Sequence, residues 1–261
     1  MEARDDDRIS KLPDDILHVI VSLLSEKEGL RVRSLSRRWR YLPTPQLFNL
    51  CFDSQIEYGK TIRPYIDSQY HSKSKEFVAK VGQVLRNHSH RLKFPKLNSL
   101  QVSFCFYNKY ASYIDEWVSL AASMAVNKIE FKFAELRNYP PDETNPKTHR
   151  FYRFPWPTSS TRPNLDLEYL CLESCILKPV PPDLGLSSLK TLSLGCVVLD
   201  QDDFNKIASA CLKLECLTLD CCTLPQTFRI GGDGATFDHL KSLALHILIY
   251  PRRGILIRKL I

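Results

Sequence analysis

Glycine is scarce in this chain, nine in 261 residues, which leaves little material for the loops that cradle phosphates. The one cluster, Gly231 to Gly234, has no basic partner after it and reads as a turn before a strand at Leu243. No G-x-S-x-G, H-E-x-x-H or G-x-x-x-x-G-K-[ST] occurs, so the corresponding hydrolase, zinc-protease and nucleotide-binding classes are excluded. His18, His88, His90 and His246 have no carboxylate or cysteine at a spacing that would make an acid–base pair. A non-catalytic protein without cofactor is expected.

Long apolar runs are missing as well. The longest nearly uninterrupted one, Leu243 to Tyr250, contains His246 and is too short to span a bilayer. Residues 1–11 are acidic and lack the apolar core of a secretory signal. Nine cysteines, an odd number, then point to reduced thiols and to residence in the nucleus, the cytoplasm or both. Cys171 with Cys175, and Cys216 with Cys221 and Cys222, lack the paired C-x-x-C spacing with histidine that structural zinc requires. They are read as core cysteines, with no metal.

The formal net charge is +7, and five arginines fall between Arg31 and Arg40. A nucleic-acid arm is one reading. No stacking aromatics or known nucleic-acid motif accompany the patch, so the arginines are read instead as the polar face of helices whose other face carries Leu35 and Trp39. Hydrophobic residues make up 44% and charged residues 25% of the chain, the composition of a folded globular protein rather than a disordered one.

The densest apolar pattern lies at Leu12 to Pro43, LPDDILHVIVSLLSEKEGLRVRSLSRRWRYLP. Pro13 suits a first helical position, and Asp14 and Asp15 suit the positive end of a helix dipole. On a helical wheel Leu12, Ile16, Leu17, Val19, Ile20, Val21, Leu23 and Leu24 cover about 200°, twice the stripe of a helix facing one core. Something besides the domain's own core must cover the surplus. Leu30, Val32, Leu35, Trp39 and Leu42 then recur at helical spacings, with Ser36 placed to cap the last helix. Leading Leu-Pro, acidic pair, aliphatic helix and a Leu-Ser-Arg-Arg-Trp-Arg-Tyr-Leu close resemble an F-box over residues 12–46. The resemblance departs at Leu23 and Ser25, where many relatives carry an aromatic and a proline. It implies a three-helix motif that docks on a Skp-family adaptor, and through it on cullin, by way of Leu12, Pro13, Ile16, Leu17, Ile20, Leu30, Leu35 and Trp39.

Residues 47–96 read as a linking strand, with Leu47, Phe48, Leu50 and Phe52 alternating, and a helix at Glu76 to Arg86. From Leu97 a phrase Leu-x-x-Leu-x-Leu recurs: LNSLQVSFC, VNKIEFKFA, LEYLCLESC, LKTLSLGCV, LECLTLDCC and LKSLALHIL. The last four begin at Leu167, Leu189, Leu214 and Leu240, 22, 25 and 26 residues apart, the period of leucine-rich repeats. The second and third apolar residues of each phrase point inward on a strand, and Tyr113 to Ala125 and Asp202 to Leu212 serve as return helices. Cys105, Cys175 and Cys222 occupy the turning position where such repeats place Asn or Cys. Val197 breaks that pattern and throws the bend of its repeat into question.

The expected fold is thus α+β or α/β, a three-helix F-box followed by a short leucine-rich-repeat solenoid over residues 97–261. The whole order resembles plant F-box/leucine-rich-repeat proteins, which often continue further; the close RRGILIRKLI suggests a shortened version. By that resemblance the chain recruits a protein substrate to a Skp/cullin/F-box ubiquitin ligase; the alternatives are a scaffold outside a ligase and a basic nucleic-acid-binding protein. Residues alternating with the inward leucines are the expected substrate surface: Tyr169, Cys171 and Glu173; Thr191, Ser193 and Gly195; Cys216, Thr218 and Asp220; Ser242, Ala244 and His246. Glu173 and Asp220 make its middle acidic, Lys128 and Lys132 its start basic. The prolines between Ala134 and Asp166 interrupt the period, and Tyr139, Phe151, Tyr152, Phe154 and Trp156 there are expected to fasten the loop to its own domain rather than to hold a ligand.

Overall fold

The computed structural model describes residues 9, 11–22, 31–32, 34–36, 38–39, 49–60, 67–91, 97–106, 108–133, 152–156, 158, 167–225, 227–231, 237–246 and 256–259. The chain divides into two compact units, Met1–Leu50 and Cys51–Ile261.

The first unit carries α1, Asp14–Ser22. Ile16 and Leu17 both donate their backbone N–H to the Pro13 carbonyl at 3.1 Å, so Pro13 is the residue that caps the helix and Asp14 the first inside it. Leu17 and Val21 pack with Trp39 into a small buried cluster, covered at its margins by Leu12, Ile20 and Val32. Residues 31–32 and 38–39 are helical. The Trp39 N–H donates to Ser36 Oγ at 3.3 Å, the cap expected there. Arg38 ties this segment back to α1, donating to Asp14 Oδ1 from Nε at 2.8 Å and to the Leu12 carbonyl from a terminal nitrogen at 2.5 Å. Leu23, Leu24, Leu30 and Leu42 lie outside the described residues, as does most of the expected second and third helices.

The second unit is built on a sheet of order β1-β2-β3-β4-β5-β6-β8. Its strands are β1 (Asn49–Asp53), β2 (Ser99–Ser103), β3 (Lys128–Lys132), β4 (Tyr169–Glu173), β5 (Thr191–Gly195), β6 (Cys216–Asp220) and β8 (Ser242–His246). From β2 to β8 the pairing is parallel and without slip. Two inward ladders follow from this register: Leu100, Ile129, Leu170, Leu192, Leu217, Leu243, and Val102, Phe131, Leu172, Leu194, Leu219, Leu245. All but the β8 pair are buried, and Leu243 and Leu245 are partly exposed. Each buried side chain of this size contributes about 1.5–3 kcal/mol, and each layer is covered only by its neighbours.

The expected returns are present. In α4 (Ala111–Ser123), which follows the 3-10 turn Asn108–Tyr110, Ile114, Trp117, Val118 and Ala121 are buried. In α5 (Gln201–Ala210) Asp200 caps the first turn, accepting from the Asp203 N–H, and Phe204, Ile207 and Ala208 face inward. Before these, the short α2 (Ser54–Tyr58) is capped by Asp53 and stopped by Gly59 at φ 68°, a left-handed residue where glycine carries no steric penalty. The helix expected at 76–86 is much longer: α3 runs Tyr70–Arg91, its inner face carrying Phe77, Val78, Val81 and Leu85 together with Ser74 and His88. After β6 the described residues of the return form no helix but β7 (Thr227–Ile230), which pairs in parallel with β9 (Leu256–Lys259). On β7's other edge the Gln201 amide mimics a strand, donating to the Arg229 carbonyl at 3.0 Å and accepting from its N–H at 2.8 Å.

The bends after β4, β5 and β6 are one motif. Ser174, Cys196 and Cys221 take φ of 58°, 49° and 53°. Each donates its N–H to the last carbonyl of the next strand in the sheet, at 2.9, 2.8 and 2.6 Å to Gly195, Asp220 and His246. Val197 occupies the place of Cys175 and Cys222, and its layer bends like the others because the turn is made by backbone one residue earlier. Cys222 does add a thiol bond, Sγ donating to the Leu194 carbonyl at 3.3 Å, but the bend does not require it.

Candidate interaction surfaces

In the first unit the eight residues singled out for adaptor docking separate by position. Leu17 and Trp39 are inside, and Leu12 and Ile20 lie against their cluster. Pro13 is exposed, Ile16 is 47% exposed and Leu35 69%; Leu30 lies outside the described residues. Ile9, not singled out from the sequence, is also exposed, at 55%. A helix repeat tells that α1 is apolar over too wide an arc, but only the position of Trp39 decides which part of the arc is spent on the unit's own core.

In the second unit the residues alternating with the core ladders form one sheet face, and register places them in three rows. Ser99, Lys128, Tyr169, Thr191, Cys216 and Ser242 make one; Gln101, Glu130, Cys171, Ser193, Thr218 and Ala244 the next; Ser103, Lys132, Glu173, Gly195, Asp220 and His246 the third. All twelve residues expected to form the substrate surface therefore share this face. Cys171, however, is buried by its neighbours, so its thiol offers a partner little.

The basic start of the face is not what Lys128 and Lys132 suggest alone. Glu130, passed over in reading the strand, sits between them and accepts from Lys128 at 3.1 Å and Lys132 at 2.6 Å, with Gln101 donating to it from the neighbouring strand. Partial burial works against the Glu130 charge, but hydrogen bonds from Lys132 and then Lys128 outweigh it and hold the carboxyl below its usual range. The Glu130 hydrogen bond in turn raises Lys132. The Lys128 ammonium also lies 4.3 Å from the centre of the Tyr169 ring, within cation–π range. Burial pushes the Tyr169 hydroxyl up to about 12, so that ring stays neutral. A second missed pattern runs along the rim just before the strands, where Glu168, Lys190, Glu215 and Lys241 alternate in sign; Lys190 bonds Glu168 at 2.8 Å and Lys241 bonds Glu215 at 3.0 Å. Its sequence signal was available, since all four precede a strand at the same repeat position.

The described part of the interrupting segment, residues 152–156, packs into its own domain. Tyr152, Phe154 and Trp156 are all buried. Tyr152 stands edge-on to Phe133 and donates its hydroxyl to Asp115 at 2.7 Å, while Trp156 Nε1 donates to the Leu177 carbonyl at 2.5 Å. Backbone bonds from Phe154 to Ile176 and from Ile176 to Tyr152 complete the attachment. Tyr139 and Phe151 lie outside the described residues.

Burial pushes up the thiols of Cys171 and Cys175, and those of Cys196, Cys211 and Cys222 to about 12. Cys51, although exposed on β1, is also raised, by burial first and then by Asp53 and Glu130. Such thiols are protonated at neutral pH and are weak nucleophiles and ligands. Among the described residues no group of three or more His, Cys, Asp or Glu is arranged to hold a metal ion, and no helix is long and apolar enough to cross a membrane.

Comparison with known proteins joins the two surfaces in one family. The F-box domain model matches residues 9–49, and the model described as At1g61320/AtMIF1, LRR domain, matches residues 84–247. Among curated Arabidopsis thaliana proteins, F-box protein At1g80960 is 29% identical over 221 residues, covering 83% of this chain and 40% of its own length. F-box protein At5g03100 is 28% identical, over 83% of this chain and 57% of its own. F-box/FBD/LRR-repeat protein At3g52680 is 32% identical, over 82% and 40%. The chain thus spans about two fifths to under three fifths of the length of these relatives. No solved structure matches it. With the repeat model matched over well over half of the chain and an F-box before it, on a parallel sheet of stacked leucine ladders, the chain belongs to the F-box/leucine-rich-repeat proteins.

Proposed function

We propose that the chain is a non-catalytic substrate receptor of a Skp/cullin/F-box ubiquitin ligase, working in the nucleus, the cytoplasm or both. Its F-box, a three-helix unit, holds the Skp-family adaptor, and the outward face of its repeat sheet holds the protein to be modified. The observation that carries this is the division of α1. Leu17 and Val21 close the small cluster with Trp39, yet Ile9, Pro13, Ile16 and Leu35 still place apolar surface in water. Exposed apolar surface of this kind marks a docking site, and aliphatic contacts of about 1.5–3 kcal/mol each suffice in small number for a stable complex. The adaptor covers them; the substrate is read by polar side chains on the sheet.

The test is capture of a purified Skp-family adaptor, with and without cullin. Wild type should retain both. Replacing Ile16 and Leu35 by serine should abolish capture while circular dichroism and repeat-domain stability stay unchanged. A folded double variant that still binds adaptor with wild-type affinity would sink the docking assignment, and adaptor capture without cullin would make the chain a scaffold outside a ligase.

A further inference from the structure

The run of arginines from Arg31 to Arg40 is a sequence feature that docking and the repeat face do not account for. Arg38 belongs to the fold of the first unit, tied to Asp14 and to the Leu12 carbonyl. Arg31 lies exposed instead, in the helical pair 31–32, and the chain then makes a turn at Ser34 and Leu35, both exposed. The hydrogen bonds that shape this turn are local. The Ser34 N–H donates to the Arg31 carbonyl at 3.1 Å and the Leu35 N–H to the Val32 carbonyl at 3.0 Å, while Ser34 Oγ donates to the same Arg31 carbonyl at 2.6 Å. The order Arg31-Val32-Arg33-Ser34-Leu35 thus puts a serine on an open turn, with a guanidinium three residues before it and an aliphatic residue directly after. Basophilic protein kinases read charge around the acceptor in this way.

Neighbouring serines lack one part or another of this setting. Ser36 is half-buried, and its Oγ accepts the Trp39 N–H as a helix cap. Ser89 also follows an arginine by three residues, Arg86, but lies inside α3, where its hydroxyl donates to the Arg86 carbonyl of its own helix. Ser34 differs from both in its place as well, since the next side chain is Leu35, part of the apolar surface assigned to the adaptor. A phosphoserine carries a charge of about −1.5 to −2 at pH 7. Its ester oxygen has no hydrogen to give the Arg31 carbonyl, and its charge stands against that carbonyl. Covering Leu35 would then strip water from a phosphate at the margin of an apolar contact, which is unfavourable.

We propose that Ser34 is the acceptor for a basophilic protein kinase using ATP, and that phosphate on Ser34 releases the first unit from the Skp-family adaptor. Ser34 Oγ attacks the γ-phosphorus of ATP. The Oγ–P bond forms as the bond from that phosphorus to the bridging oxygen breaks, ADP leaves, and the hydroxyl proton passes to the kinase's catalytic carboxylate. This rests on the receptor reading above and adds to it a regulation of the same docking surface.

The test incubates the full chain with ATP and either the catalytic subunit of cyclic-AMP-dependent protein kinase, which reads basic substrates, or casein kinase II, which reads acidic ones. Mass spectrometry then maps the phosphate. The first kinase should modify Ser34 and the second should not. No phosphate on Ser34, with or without phosphate on Ser36 or Ser89, overturns the proposal. Capture of purified Skp-family adaptor is measured on the phosphorylated chain and on S34E and S34Q, two side chains of similar size that differ in charge. Phosphorylation and S34E should each weaken capture by about tenfold or more, and S34Q should leave it within about twofold. Equal weakening by S34E and S34Q would assign the effect to bulk and overturn the proposal. If the unphosphorylated chain captures no adaptor, the receptor reading falls, while phosphate on Ser34 still supports the acceptor assignment. If phosphorylated and unphosphorylated chains capture adaptor equally well, the receptor reading stands and the regulation is overturned.

Discussion

Ile16 and Leu17 are neighbours of similar size on one helix, yet Leu17 is fully buried and Ile16 is 47% exposed, and the two should fail in different ways. Leu17→Ala removes part of a three-residue cluster and should cost about 2–5 kcal/mol of first-unit stability, read by urea titration. Ile16→Ser should cost less than about 0.5 kcal/mol and be felt in adaptor affinity instead. Glu130 allows a test by pH. Its folded carboxyl lies below the ordinary value of 4.5 because of Lys132 and Lys128, so the unfolded chain takes up the proton first as pH falls. The stability it contributes is therefore fully present above the unfolded value and disappears as pH drops through the folded one. Wild type should exceed Glu130→Gln by on the order of 1 kcal/mol at pH 7, with the gap closing in acid; a gap that widens below pH 4.5 would show that the lysines do not hold this carboxylate. The leucines of the repeats could be placed from their spacing, whereas Glu130 could not be weighed, because its importance lies in two lysines reaching it from either side and a glutamine from the next strand.

At the scale of elements the bends offer the sharper experiment. Cys196 sits at φ 49° while Val197 follows it at the place that Cys175 and Cys222 fill in neighbouring layers. Val197→Cys should therefore change the melting free energy by less than about 1 kcal/mol, since the swap keeps a small apolar group and the turn is backbone-made. Cys196→Val puts a β-branched residue into the left-handed region and should cost about 1–3 kcal/mol. If Val197→Cys stabilises strongly instead, the thiol and not the left-handed residue makes the bend. Strands β2 to β6, strand β8 and helices α4 and α5 were legible because a leucine every second residue and an apolar stripe every third or fourth are unambiguous. The front of α3 was not, since Tyr70 to Lys75 is polar outside and its inward Ser74 is satisfied by the Tyr70 carbonyl and the Tyr110 hydroxyl. Nor was β7 legible as the return after β6, for its pairing partner lies at 256–259 and its other edge is closed by the side chain of Gln201. The aromatic segment shows the opposite case: Trp156, buried with its N–H on Leu177, belongs to the core, and deleting 152–156 would report on folding rather than on capture.

For the whole molecule, a solenoid distributes stability by neighbours, and here the distribution is uneven. Phe77, Phe104, Phe106, Trp117, Phe133 and Tyr152 form a chain of ring contacts through the first layers, with centroids 4.6 to 6.1 Å apart for Phe77–Phe104, Phe104–Phe106, Phe106–Trp117, Phe106–Phe133 and Phe133–Tyr152. Such pairs add about 0.5–1.5 kcal/mol each beyond their burial. Toward β8 the ring contacts among the described residues are fewer, Phe204 with Phe228 at 4.8 Å and with Phe237 at 6.1 Å, and the two ladder leucines of β8 are partly exposed where those of β5 and β6 are not. Stability in such an array is a sum of layer and interface contributions, so the last sheet strand should open at lower free energy than the middle ones. Leu192→Ala in β5 should cost about 2–5 kcal/mol, and Leu243→Ala, at the same ladder position two strands along the sheet, about half of that, because the water it meets is already there. Native-state hydrogen exchange should rank the amides in the same order, β4 and β5 slowest and β8 fastest. Equal protection from β4 through β8, with equal costs for the two alanines, would mean that the half-open layer is closed in solution by more of the chain, and the uneven distribution would then be wrong.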